Sequence, residues 1–71
     1  MFDLDRTTRA AEEAARKDRS RCTYDPKVAA VSTPAMRKRL DAPTLAYCDA
    51  YMSAWWAEDD YLLQTRGFQC V

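Results

Sequence analysis

Residues 43–66 constrain the fold of this 71-residue chain more than any other stretch, because they hold both tryptophans, three of the four tyrosines and three of the five leucines. Asp41 stands where a helix N-cap is wanted, Pro43 falls in the first turn, and Gly67, the only glycine, follows Arg66 where a left-handed helix stop belongs. The spacing predicts one long helix over 42–66, with the rest of the chain as its cover. A chain this short buries only about 60% of the surface its unfolded form exposes, so its core is marginal unless stapled or shared with a partner.

The preceding residues read as shorter elements. Residues 3–20 predict a thin, charged N-terminal helix, capped by Asp3 or Asp5 and rich in alanine. Its apolar stripe, Leu4, Ala11, Ala14 and Ala15, predicts a surface helix that adds little to the core. Residues 21–33 form a connector, in which Asp25-Pro26 predicts a single helical turn through Val28 and Val31. An extended segment over 27–32 competes with that turn. Thr33-Pro34 repeats the cap-plus-proline signature and predicts a short helix over 34–40, with Met36 and Leu40 facing inward. Phe68 is expected to fold back on Leu62 or Leu63, and residues 67–71 form a short tail that is loose unless Val71 packs. The fold class is therefore all-α: one domain of three to four helices centred on the C-terminal one.

Placing residues at about 100° intervals divides the long helix into three strips. Leu45, Cys48, Met52, Trp55, Trp56, Leu62 and Leu63 are expected to form the core strip. Tyr47, Tyr51, Glu58 and Tyr61 flank it, and tyrosine and tryptophan are common anchors of protein interfaces. Ala46, Ala50, Ser53 and Ala57 make a small-residue strip that would let another helix approach closely, which makes a homodimer through it possible. Asp59 falls within the apolar strip. An unpaired buried carboxylate is costly, so a salt bridge to an arginine of the first half is the favoured explanation.

Formal net charge is zero, yet residues 1–40 carry ten Lys/Arg against six Asp/Glu, and residues 41–71 carry one against five. The two halves are expected to attract each other. Basic clusters at Arg16, Lys17, Arg19 and Arg21, and at Arg37, Lys38 and Arg39, are the candidate contacts to nucleic acid or to an acidic partner.

Much chemistry lacks its usual carriers. With no histidine, the commonest general base and metal ligand is missing. No two cysteines have close metal-ligand spacing, and a single glycine at a helix end makes no phosphate-cradling loop. Neither an enzyme nor a metal or cofactor site is expected. Residues 34–56 scan as helix, turn, helix, but the second helix carries no Lys, Arg, Asn or Gln before Gln64 to read a major groove. Three widely spaced cysteines, Cys22, Cys48 and Cys70, fit buried or free thiols better than a disulfide framework. The opening residues lack a basic region followed by an apolar one, and the longest apolar run is too short to span a bilayer, so a cytoplasmic, membrane-free protein is expected.

The expected function is a non-enzymatic protein-binding or regulatory module, of the kind a phage or mobile element uses to inhibit a host protein by steric occlusion. Tyr47, Tyr51, Trp55, Glu58, Asp59 and Tyr61 are its candidate contacts. Nucleic-acid binding through the basic clusters is the alternative, and a structural subunit of a larger assembly is a further one.

Overall fold

A computed structural model describes residues 2–70; Met1 and Val71 lie outside it, and with Val71 the condition for a fixed tail, that it packs. The described residues form four helices and no strand: α1 (Leu4–Ser20), α2 (Pro26–Ala30), α3 (Pro34–Arg37) and α4 (Ala42–Arg66). Each begins on a side chain that accepts from a free backbone N–H of the first turn. Asp3 accepts from Arg6, Asp25 from Lys27, Thr33 from Met36 and Asp41 from Thr44. Hydrogen bonding by the Thr44 side chain, and then by the Thr44 backbone N–H of the cap, holds the Asp41 carboxyl below its ordinary pKa. Gly67 closes α4 in the left-handed conformation, with φ 61°, and its N–H returns to the Leu63 carbonyl at 3.1 Å. Phe68 does fold back, its N–H reaching the Leu62 carbonyl at 3.1 Å.

Three expectations about the shorter elements are corrected, and one holds. The third helix stops at Arg37 rather than Leu40, with Lys38 and Arg39 in a turn, and Met36 faces solvent. The helical turn expected from Asp25-Pro26 forms as α2, and the extended alternative at 27–32 does not. α1 is no peripheral cover: its main partner is α4, and Ala11, Ala15 and Arg19 are fully buried. The alanines that looked like a thin stripe act instead by letting two backbones come close. The core is Ala11, Ala15, Val28, Cys48, Tyr51 and Ala54, with Ala14, Tyr24, Val31, Tyr47, Ala50, Met52 and Trp55 packed on it.

The face of α4 that enters the core is also rotated from the expected one. Trp56 is 60% exposed and Leu63 lies at the surface, while Tyr51 and Ala54 are buried. Apolar residues occur all round α4, so its periodicity selects no face. Polar satisfaction does: the Tyr51 hydroxyl finds partners inside, at Asp18 and the Asp25 N–H.

The cysteine expectation is overturned as well. Cys22 and Cys70 form a disulfide across 48 residues of sequence, with Cα atoms 5.3 Å apart, and only Cys48 remains free and buried. Burial pushes the Cys48 thiol up from its ordinary pKa. Cys22 also closes α1. Its N–H bonds to the Arg19 carbonyl at 3.0 Å and the Thr23 N–H to the Asp18 carbonyl at 2.9 Å, the pair of bonds that defines a Schellman cap. The left-handed position of such a cap usually holds glycine. Here Cys22 adopts φ 57°, which costs a residue with a Cβ about 1 kcal/mol.

Cys22→Gly should therefore change sign with redox state. Closing a loop of this length is worth about 4 kcal/mol, so with the disulfide intact in the parent the variant should be less stable by about 3 kcal/mol. With reductant present it should be more stable than the parent by about 1 kcal/mol, since only the backbone strain then differs. Urea unfolding with and without reductant measures both; a variant less stable than the reduced parent would show that Cys22 bears no strain.

Candidate functional site

Two polar centres hold the helices together and decide which side chains remain for outside contact. The first is Arg19, whose residue is fully buried. Its Nε donates to Asp59 Oδ1 at 2.7 Å and its Nη2 to the Phe68 carbonyl at 2.6 Å. Nη1 lies 3.9 Å from Cys22 Sγ. The guanidinium carbon also sits over the Phe68 ring at 4.9 Å and the Trp55 ring at 5.9 Å. Asp59 thus has the first-half arginine expected for it, and its role is internal. Arg37 and Asp49 make a second ion pair across the same charge divide at 2.7 Å, half-exposed on both sides.

The second centre is Tyr51, which is 0% exposed. Its hydroxyl donates to Asp18 Oδ2 in a short hydrogen bond and accepts from the Asp25 N–H at 2.9 Å. One phenol so ties the end of α1 and the start of α2 to the middle of α4. Burial, then the hydrogen bond to Asp18, push its pKa well above the ordinary phenol value. Around it lies an aromatic cluster: Tyr24 meets Tyr51 edge-on at 5.2 Å and Trp55 at 5.4 Å, and Tyr47 stacks on Tyr51 at 6.3 Å. Burial also raises the pKa of Tyr24 and Tyr47. Trp55 is half-buried and its Nε1 donates to the Thr23 carbonyl at 2.8 Å. Tyr24 was not among the sequence candidates; an aromatic residue directly before the Asp25-Pro26 cap was the available signal.

The expected contact set therefore divides. Tyr51 is removed from it, because a fully buried side chain with both hydrogen-bonding partners inside the fold reaches no partner. Asp59 and Trp55 serve the internal network. Tyr47 is half-buried beside a small apolar hollow of about 380 Å³, lined also by Val28, Val31 and Cys48. Glu58 and Tyr61 keep access to solvent, and Tyr61 is 57% exposed.

Glu58 and Tyr61 join a shallow groove between α1 and α4 of about 390 Å³, lined by Glu12 and Arg16 on the α1 side and by Ser53, Ala57 and the buried Ala54 on the α4 side. On α4, Trp56 stands across Ser53 and Ala57 from Tyr61 by helical position. The outer face of α4 is thus a small-residue floor between two exposed aromatics, with Asp60 and Gln64 bonded to each other at 3.1 Å beside it. The strip assigned to a dimer is divided too. Ala50 packs on the core and Ala46 is half-covered, so only Ser53 and Ala57 of the four are free for another helix.

The basic clusters are similarly reduced. Arg19 is buried and ion-paired, and Arg37 is paired with Asp49. Arg16, Lys17, Arg21, Lys38 and Arg39 remain exposed. Among the described residues, no group of three or more His, Cys, Asp or Glu side chains could hold a metal ion, and no helix is long and apolar enough to cross a membrane. No protein-family model, curated protein or solved structure matches the chain.

The raised phenol pKa of Tyr51 sets a pH dependence. Unfolded tyrosine loses its proton near pH 10, whereas the folded phenol holds it to higher pH. Its stabilising contribution is therefore complete below about pH 10 and is lost as pH rises beyond that value. The urea midpoint of the parent should fall above pH 10. Tyr51→Phe should be less stable by about 2 kcal/mol at pH 7, from the Asp18 and Asp25 groups left without a partner, and its midpoint should fall less steeply in alkali. Equal alkaline slopes for the two proteins would contradict the assignment.

Proposed function

We propose that this chain is a non-catalytic protein-binding module that contacts its partner through the outer face of α4. The observation that carries this proposal is the exposure of Trp56, at 60%, with Tyr61 and Leu63 on a chain too small to leave large apolar side chains in water without cost. Ser53 and Ala57 between the two aromatics let a partner's backbone come close, and aromatic side chains flanking a small-residue floor are suited to anchoring. Glu12, Arg16 and Glu58 along the groove supply a polar rim. Binding by such a face inhibits by occlusion wherever it covers a working surface of the partner. We keep the cytoplasm as the proposed compartment, which requires the Cys22–Cys70 bond to tolerate reduction there.

Site-specific photo-crosslinking in the native host tests the proposal. A photoreactive residue at Ala57, Trp56 or Tyr61 should give one discrete protein adduct, lost when Trp56→Glu is added to the Ala57 probe. The same probe at Glu13 or Lys27 should give none. Adducts from all positions alike, or nucleic-acid adducts centred on Arg16 and Lys17, would overturn it.

A further inference from the structure

The Cys22–Cys70 disulfide is placed unlike a buried structural staple. Both cysteines are exposed, and the two sulfurs have different surroundings. Cys22 Sγ lies 3.9 Å from Nη1 of Arg19, a permanent cation held in position by Asp59. Cys70 Sγ lies 3.8 Å from the Arg19 carbonyl, a hydrogen-bond acceptor. A cation beside a sulfur favours the thiolate, and a carbonyl favours the neutral thiol. One residue, Arg19, thus presents its cationic end to one sulfur and its carbonyl to the other.

We propose that Cys22 and Cys70 form a reversible dithiol/disulfide couple that exchanges with a cellular thiol reductant, with Cys70 as the attacked sulfur and Cys22 as the leaving thiolate. The thiolate of the reductant attacks Cys70 Sγ. The Cys22–Cys70 bond breaks, a mixed disulfide forms on Cys70, and the electron pair departs on Cys22 Sγ beside Arg19. A second thiol of the reductant then attacks its own sulfur in the mixed disulfide and releases Cys70 as a thiol. The net change is two electrons and two protons taken up by the protein, with the reductant oxidised to its disulfide. An exchange of this kind is fastest when the leaving sulfur is the better stabilised anion.

The same arginine keeps the couple closable. Beside the closed bond, Nη2 donates to the Phe68 carbonyl at 2.6 Å, two residues before Cys70, and the Phe68 ring lies on the guanidinium, and neither contact is made through a sulfur. The tail is therefore retained, and the Cys70 thiol remains within reach of Cys22 for reoxidation. The cap at Cys22 is closed by backbone bonds, to the Arg19 and Asp18 carbonyls, that involve neither sulfur. The couple does not depend on the α4 contact face, which lies on other residues.

Reaction of the oxidised full-length chain with limiting glutathione, quenched in acid and mapped by mass spectrometry, tests the direction of attack. About tenfold more glutathione is expected on Cys70 than on Cys22. The single variants Cys70→Ser and Cys22→Ser each leave one of these two thiols. Iodoacetamide at pH 7 should modify Cys22 in the first about tenfold faster than Cys70 in the second. Circular dichroism of the fully reduced parent should retain the helical signal, and removal of reductant should restore the disulfide without a denaturation step. Equal partition of glutathione, equal alkylation rates, or loss of helix on reduction would each overturn the proposal.

Discussion

A guanidinium buried in a chain of 71 residues is the constraint on which the rest of this structure depends. Removing a charge from water costs several kcal/mol, and the cost is offset only when every donor finds a partner. Each guanidinium nitrogen of Arg19 has a partner, Asp59 from α4, the Phe68 carbonyl from the tail and the Cys22 sulfur, and two aromatic rings lie against its carbon. Apart from Cys22, these partners come from two separate parts of the chain, Asp59 and Trp55 from α4 and Phe68 from the tail. The arginine is consequently a junction, and it requires α1, α4 and the tail to be in place together. The disulfide runs beside the same junction and shortens the unfolded chain's freedom at that point. Tyr51 performs the matching task at the other side of the core, where Asp18 and the Asp25 N–H meet its hydroxyl.

This division of labour shapes what the surface can do. The aromatic residues nearest α1 and the connector are spent on the fold, as are Asp59, Arg19 and Arg37. What remains outward on α4 is Trp56, Leu63 and Tyr61 around Ser53 and Ala57. The proposed contact face is thus defined by subtraction: it consists of large apolar groups for which the fold has no internal use.

Local chemistry was legible in the sequence, and long-range geometry was legible only in part. Asp25-Pro26, Thr33-Pro34, Asp41 with Pro43, and Gly67 mark helix ends through short-range hydrogen bonding, and all four ends appear where those residues place them. That Asp59 needed an arginine from the first half followed from the cost of burying a carboxylate; which arginine did not, because six others in that half carry the same charge. Of the core strip expected on α4, Cys48, Met52, Trp55 and Leu62 turn inward while Trp56 and Leu63 do not, because apolar residues surround that helix and periodicity then discriminates poorly. α1 was underrated because alanine looks weak by area, although its use is close approach of backbones. The pairing of Cys22 with Cys70 joins residues 48 apart and has no local signature. Of the six expected contact residues, Glu58 and Tyr61 stay open to solvent, Tyr47 is half-buried, and Tyr51, Trp55 and Asp59 belong to the interior network.

The most direct test of Arg19 as the organising residue is the stability of Asp59→Ala, compared with Arg37→Ala, by urea unfolding of the oxidised protein. Leaving a fully buried guanidinium without its carboxylate should cost about 3 kcal/mol, whereas breaking the half-exposed Arg37–Asp49 pair should cost less than about 1 kcal/mol. An Asp59→Ala protein within about 0.5 kcal/mol of the parent would show that Arg19 is not the junction on which the fold depends.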